Sequence, residues 1–352
     1  MHDNVCMRWL PRLLTLLCVA LLPYVALAAD SGGAKEQVER QATQPGNNAP
    51  VWRDVRGGEN RYQTTQVRGV ETSVLVQTEG EIWRRVRNGP VTVYGGWLVV
   101  VVTLLIGLFY AVKGQIKLHE KPTGRWVQRF SDWDRIVHWS TAISFVILAV
   151  TGMITLFGKY VLLPVFGYTL FSWLAILAKN LHNFVGPLFA MCTVLIFLTF
   201  VKDNLPRAYD WLWVRKAGGL FSGEHVPSGR FNAGEKAWFW LGVTALGITA
   251  SITGFILDFS NFGQGRFLMQ QANVIHAISA VLFIALALAH IYIGTIGTEG
   301  AYESMRTGAV DESWAKEHHE YWYNKAVADQ GRAPGSTPST AAAAAMTEGW
   351  KL

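Results

Sequence analysis

Charge is scarce in this sequence. Only 16% of its 352 residues are Asp, Glu, Lys or Arg, where a soluble domain carries about 25%. Hydrophobic residues make up 51%, and 15 are Trp. That balance excludes an ordinary soluble domain and points to apolar runs that face lipid. Cysteine is scarce too, with three in the chain. Cys6 and Cys18 fall in the first segment and Cys192 in an apolar run. There is no CxxC pair for an iron–sulfur cluster or zinc, and no CxxCH for a covalently attached haem. The formal net charge of +6 sits in loops between apolar runs, so it reads as loop basicity and not as nucleic-acid binding.

What is present divides the chain. Residues 1–28 carry Arg8 and Arg12, a short apolar run and the small-x-small end Ala26-Leu27-Ala28. This is the pattern of a cleaved secretory signal peptide, with an uncleaved anchor helix as the alternative. Residues 29–95 form an exported N-terminal segment. It is polar and lacks pattern to about residue 60, then alternates enough to make a short strand pair or lie against a partner. Residues 96–113 make an additional transmembrane helix. Four more spans follow near 138–157, 181–201, 237–257 and 273–297, within a unit at 125–325. Residues 326–352 are low in complexity and read as a flexible tail.

Loop charges orient the spans. One side has Lys113, Lys117, Lys121, Arg125, Arg129 and Arg135, then Lys202, Arg207, Arg215, Lys216, Arg230 and Lys236. The opposite loops have only Lys159, Lys179 and Arg266. The basic loops and the C-terminus belong in the cytoplasm, and the N-terminal segment in the periplasm of a bacterial inner membrane. Arg84, Arg85 and Arg87 lie on the outer side and run against this rule.

Four of the nine histidines fall in or beside apolar spans: His138, His182, His276 and His290. Ionisable groups in membrane helices are costly and functional by default. His276 and His290 share one span, fourteen residues apart. At 100° per residue they lie on nearly one face, about 40° short of four full turns, and about 21 Å apart along the axis. The topology puts His182 level with His276 near the outer side and His138 level with His290 near the inner side. Facing histidines suit a six-coordinate haem iron. Two such pairs make two b haems stacked across the membrane, His182–His276 and His138–His290. Gly152, Gly186 and Gly254 lie near the ligands and would let a flat ring approach, or serve only close helix packing. A haem-free anchor or transporter is the alternative class, though the chain shows no broken helices in paired halves.

The pieces "RFSDWDRIVHWS", "LHNFVGPLF", "GRFNAGEKAWFW", "IHAISAV…AHIYIG" and "SWAKEHHEYWY" make residues 125–325 resemble the gamma subunit of membrane-bound respiratory formate dehydrogenase, a dihaem cytochrome b. The resemblance implies an all-α membrane protein, a four-helix transmembrane dihaem bundle, here with one extra N-terminal transmembrane helix. It implies His138, His182, His276 and His290 as axial haem ligands, and electron transfer from formate oxidation to a quinone, menaquinone or ubiquinone, in anaerobic respiration. Its partners would be a molybdenum- or tungsten-containing catalytic alpha subunit and an iron–sulfur beta subunit. No formate site lies on this chain. A cytochrome b subunit of another quinone-linked oxidoreductase, of hydrogenase or thiosulfate reductase type, is the alternative.

Asn232 precedes the fourth span as a candidate helix N-cap, with Glu235 at the third helical position. In the resembling family this Asn and the following Gly234 lie at the quinone site, and Lys236 would offer positive charge to the reduced quinone. His318 and His319 lie beyond the last span among charged residues. They read as part of an amphipathic interfacial helix and not as haem ligands.

Overall fold

The computed structural model describes residues 78–219 and 226–332. Five helical stretches within it are long and apolar enough to cross a membrane: 80–113, 132–161, 163–200, 233–258 and 266–297. The segments expected as a signal peptide, as the exported segment up to residue 77 and as a tail beyond Arg332 lie outside the described residues.

The first stretch starts earlier than the sequence pattern suggests. Residues 78–95 are helical rather than a strand pair. α1 (Thr78–Val86) passes through a π turn at Arg87–Val91 into α2 (Thr92–Lys113). Pro90 sits inside that turn, where the wider spacing accommodates a residue without an N–H. The helix ends at Gly114, whose φ of 69° is available to glycine at little cost.

α3 (Asp132–Val161) opens on a reciprocal cap. The Asp134 N–H donates to Ser131 Oγ at 3.2 Å and the Ser131 N–H to Asp134 Oδ2 at 2.9 Å. α4 (Leu163–Phe200) follows almost at once. Residues 158–180, expected as a loop, are therefore mostly helical, with one break at Gly167, φ 69°. After α5 (Ala208–Arg215), the fourth span starts as α6 (Ala233–Ala237), widens into a π-helix over Trp238–Leu246 and continues as α7 (Gly247–Asp258). α8 (Arg266–Tyr292) ends in a second π segment, Ile293–Gly297. α3 packs mainly on α4, and α8 on α7 and α2. The buried residues are largely apolar and sit between these helices, while one face of each stays exposed, as lipid-facing helices require.

One end of the bundle carries a small platform. β1 (Trp126–Gln128) pairs antiparallel with β2 (Ala309–Asp311), Val127 opposite Val310. α9 (Ala301–Arg306) precedes β2, and α10 (Glu312–Arg332) follows it. α10 carries the chain past residue 326, where the low-complexity sequence suggests a tail. Charges lock the platform to the helix ends. Arg230 bridges Asp134 (2.8 Å) and Asp203, and Arg129 donates to Glu235 (2.9 Å) and to the Arg230 carbonyl (2.8 Å). Phe130, Phe200 and Phe231 pack edge to face or tilted beneath them.

Gly308 turns the chain into β2 at φ 86°, and its carbonyl accepts from both the Arg129 and Phe130 N–H groups. A Cβ there would lie 2.5 Å from the Phe130 carbonyl oxygen. Gly308→Ala is expected to cost roughly 2 kcal/mol or more through left-handed strain and this clash. A thermal unfolding series in detergent checks it against Gly89→Ala, where no atom lies within 4 Å and no loss is expected.

Candidate functional site

α8 carries His276 and His290, and other spans meet each with a second imidazole. His182 on α4 faces His276 with ring centroids 6.1 Å apart. His138 on α3 faces His290 at 6.3 Å. The first pair sits at the end far from the platform, the second at the platform end. Among the described residues no group of three or more His, Cys, Asp or Glu could hold a metal by itself. The site is two isolated pairs of nitrogen donors.

At the far pair the ring tautomers are set. His276 Nδ1 lies 3.0 Å from the Ala250 carbonyl oxygen, which can only accept, so Nδ1 carries the proton. The Thr253 hydroxyl donates to the Thr249 carbonyl at 2.6 Å and lies 3.1 Å from the same nitrogen. Thr151 repeats the arrangement on α3. Its hydroxyl donates to the Ile147 carbonyl at 2.8 Å, so its oxygen accepts from His182 Nδ1 at 2.8 Å. Both rings therefore keep a bare Nε2 lone pair. A Cβ on Gly152 would lie 3.4 Å from His182 Cε1, and one on Gly254 3.3 Å from His276 Cε1. Each glycine follows the threonine that holds the ring, and each lets the ring lie against the helix. Gly186 has open space beside it and lines the same cavity of about 320 Å³.

The platform pair is built differently. His138 Nδ1 is buried with no hydrogen-bond partner among the described residues. Trp238, the first residue of the π-helix, stacks on His290 at 4.6 Å with planes 11° apart. The π geometry shifts the register at that residue, and π segments recur at functional sites.

Two imidazoles bound to one iron through Nε2 at about 2 Å each would hold their centroids about 6 Å apart. Both pairs meet that distance, and the fixed tautomers at the far pair expose the nitrogen that binding needs. The donors fit a haem iron.

A profile of the family described as prokaryotic cytochrome b561 matches residues 129–308. The chain belongs to the prokaryotic cytochrome b561 family. Membership implies an integral membrane protein with b-type haem, in agreement with the five apolar helices. Among curated relatives, the formate dehydrogenase cytochrome b556(fdo) subunit of Escherichia coli K12 is 29% identical over 208 residues, 56% of this chain and 92% of the relative. The nitrate-inducible cytochrome b556(Fdn) subunit of the same strain is 30% identical over 199 residues, 54% and 88%. The formate dehydrogenase cytochrome b556 subunit of Haemophilus influenzae is 28% identical over 204 residues, 55% and 80%. α1 and α2 lie outside the stretch that the cytochrome b561 family profile matches.

Asn232 caps α6: its Oδ1 accepts from the Glu235 N–H at 2.9 Å, and Glu235 Oε2 accepts from the Asn232 N–H at 2.8 Å. Gly234 gives close approach to an indole, since a Cβ would lie 2.8 Å from Trp213 Cη2. Lys236 is buried and donates to Asp210 at 2.7 Å, so its charge is already partnered within the protein.

His319 departs most from its sequence reading. It is 1% exposed, inside the platform and not on an interfacial face. Its Nδ1–H donates to the Gly229 carbonyl at 2.7 Å, its Nε2 lies 3.8 Å from Glu235 Oε2, and Trp314 packs on the ring. It breaks α10 at φ −142°, ψ 49°. Burial first, then Arg129 and His318, hold its pKa well below 6.5, outweighing the hydrogen bond to the Gly229 carbonyl. The folded protein keeps this ring neutral, whereas the unfolded chain would protonate it. Stability should therefore fall as pH drops below about 6.5, where the unfolded state gains the extra proton. His319→Gln should flatten that slope, as read from thermal midpoints between about pH 7 and pH 5.

Proposed function

We propose that this chain is the cytochrome b membrane subunit of a formate dehydrogenase, carrying electrons from formate oxidation through two b haems to a quinone. The observation that carries this reading is two histidine pairs, each with one member on α8, at two depths of a cytochrome b561 core. The relatives named as formate dehydrogenase subunits supply the electron source.

His182 and His276 hold the far haem, and His138 and His290 the platform haem. Bound b haems supply reversible one-electron transfer at two depths. The protein's part is to fix the imidazoles, through Thr151 and the Ala250 carbonyl at the far pair and Trp238 at the other, and to exclude water with apolar walls. Asn232 and Gly234 border the quinone site. The Asn232 Oδ1 is used in its cap, so the amide nitrogen is the group that donates to a quinone oxygen. Formate chemistry belongs to a separate molybdenum- or tungsten-containing alpha subunit, with an iron–sulfur beta subunit between. The setting is a bacterial inner membrane. The far end faces the periplasm and the platform, with its Lys- and Arg-rich loops, faces the cytoplasm.

His276→Ala should remove the far haem and His290→Ala the platform haem, each leaving one haem per chain, and His138→Ala should match His290→Ala. Haem quantification on the purified complex decides this; two haems retained in any of the three sinks the ligand assignment.

Asn232→Ala separates cap from quinone contact. Loss of a helix cap costs about 1 kcal/mol, too little to empty a haem site. Haem content and formate-driven haem reduction should persist while quinone reduction collapses. Quinone reduction that persists in Asn232→Ala alongside haem reduction would mean that Asn232 serves as a cap alone.

A further inference from the structure

The cavity at the far pair is amphiphilic. Part of its lining is apolar, with Phe145 and the buried Phe189 and Phe283. Arg87, Lys179 and Asn273 line it too, the last two three residues before His182 and His276. A haem has the same polarity, apolar methyl and vinyl edges opposite an edge with two carboxylates. Carboxylates at a membrane edge need cationic or hydrogen-bonding partners. We propose that Arg87, with Lys179, receives the carboxylates of the haem held by His182 and His276, so that the additional N-terminal helix is part of the haem site. The inference rests on the ligand reading above.

The placement of Arg87 is built and not incidental. Arg84 and Arg85 pair with Glu81 along α1. Arg87 begins the π turn and lines the cavity instead. Trp83 Nε1 donates to Asn273 Oδ1 at 3.2 Å, which ties α1 to α8 one turn before His276. On α2, a Cβ at Gly95 would lie 3.3 Å from Val281, and one at Gly96 3.5 Å from Phe157. Val281 and Phe157 also line the cavity. The segment is thus anchored on two walls of the space that Arg87 overlooks. Arg87 Nη1 also donates to Asn88 Oδ1 at 2.9 Å. Asp258 shares the lining, and its carboxylate offsets one of the two cations, leaving an excess of one positive charge. An arginine on the side of the membrane that basic residues usually avoid then has a reason to be there.

The test uses the complete complex purified from membranes, with Arg87→Gln, Arg87→Lys, Lys179→Gln and, as control, Arg84→Gln. Haem per chain, the rate of haem transfer to apomyoglobin and the two haem midpoint potentials are measured. Losing a charge-assisted contact should speed release of one haem about tenfold. Loss of a nearby positive charge should also move that haem's potential negative and leave the other unchanged. Arg87→Lys should restore most of the effect, and Arg84→Gln should show none. Arg87→Gln matching the parent protein in release and potential overturns the proposal. If that variant does not accumulate, Lys179→Gln decides in the same way. A parent protein with fewer than two b haems removes the ligand reading and this inference together. A parent with two haems and a silent Arg87→Gln removes this inference alone.

Discussion

A polar ring in an apolar helix has to be met by a partner, and α8 asks for this twice. His276 and His290 fall on nearly one face because fourteen residues come close to four turns. Helices that pack there can satisfy both rings only by arriving at two depths. α4 supplies His182 at one level and α3 supplies His138 at the other, with centroids 6.1 and 6.3 Å apart. α3 approaches His182 at Gly152, where a Cβ would just touch the ring at 3.4 Å, and α7 approaches His276 at Gly254, where one would press on it at 3.3 Å. The constraint passes from one helix into the whole four-helix core.

The platform holds that geometry from outside. Arg129, Arg230, Asp134, Asp203 and Glu235 connect the start of α3, the end of α4 and the start of α6. Arg129 is almost fully buried, with its guanidinium near the faces of Phe130 and Trp314. Removing one member of such a network leaves an unpaired buried charge, which costs more than the pair contributes. Helix ends tied in this way cannot slide along their axes, and axial sliding is the motion that would take paired histidines out of register.

Much of this was legible in the residues. The two histidine levels followed from spacing and loop charge, and the structure brings together His138 with His290 and His182 with His276. The Asn232–Glu235 cap was legible because its signal is local. What failed to show was set by distant partners. Residues 61–95 suggested a short strand pair, yet their described part, from Thr78, is helical and packs on α8. His319 looked exposed among charges, but its partners, Gly229 and Glu235, are about ninety residues away. The π-helix at Trp238–Leu246 changes only the helical register, and hydrophobic periodicity is too coarse to detect it. Thr151 and Thr253 passed unnoticed for a similar reason. A threonine in a membrane helix usually bonds its own backbone, and these do so while also accepting from a histidine.

The two pairs match in distance and differ in chemistry. An imidazole that donates its Nδ1–H to an acceptor has a more basic Nε2 and a fixed ring plane. His276 and His182 both have that support, from a carbonyl and from a hydroxyl that is itself donating. His138 has none among the described residues, and His290 is held by stacking on an indole. A fold with symmetric pair spacing thus presents two unequal pairs of nitrogen donors. The inequality comes from which neighbour each helix offers: a threonine beside a glycine on α3 and α7 at the far end, and a tryptophan released by π geometry at the platform end.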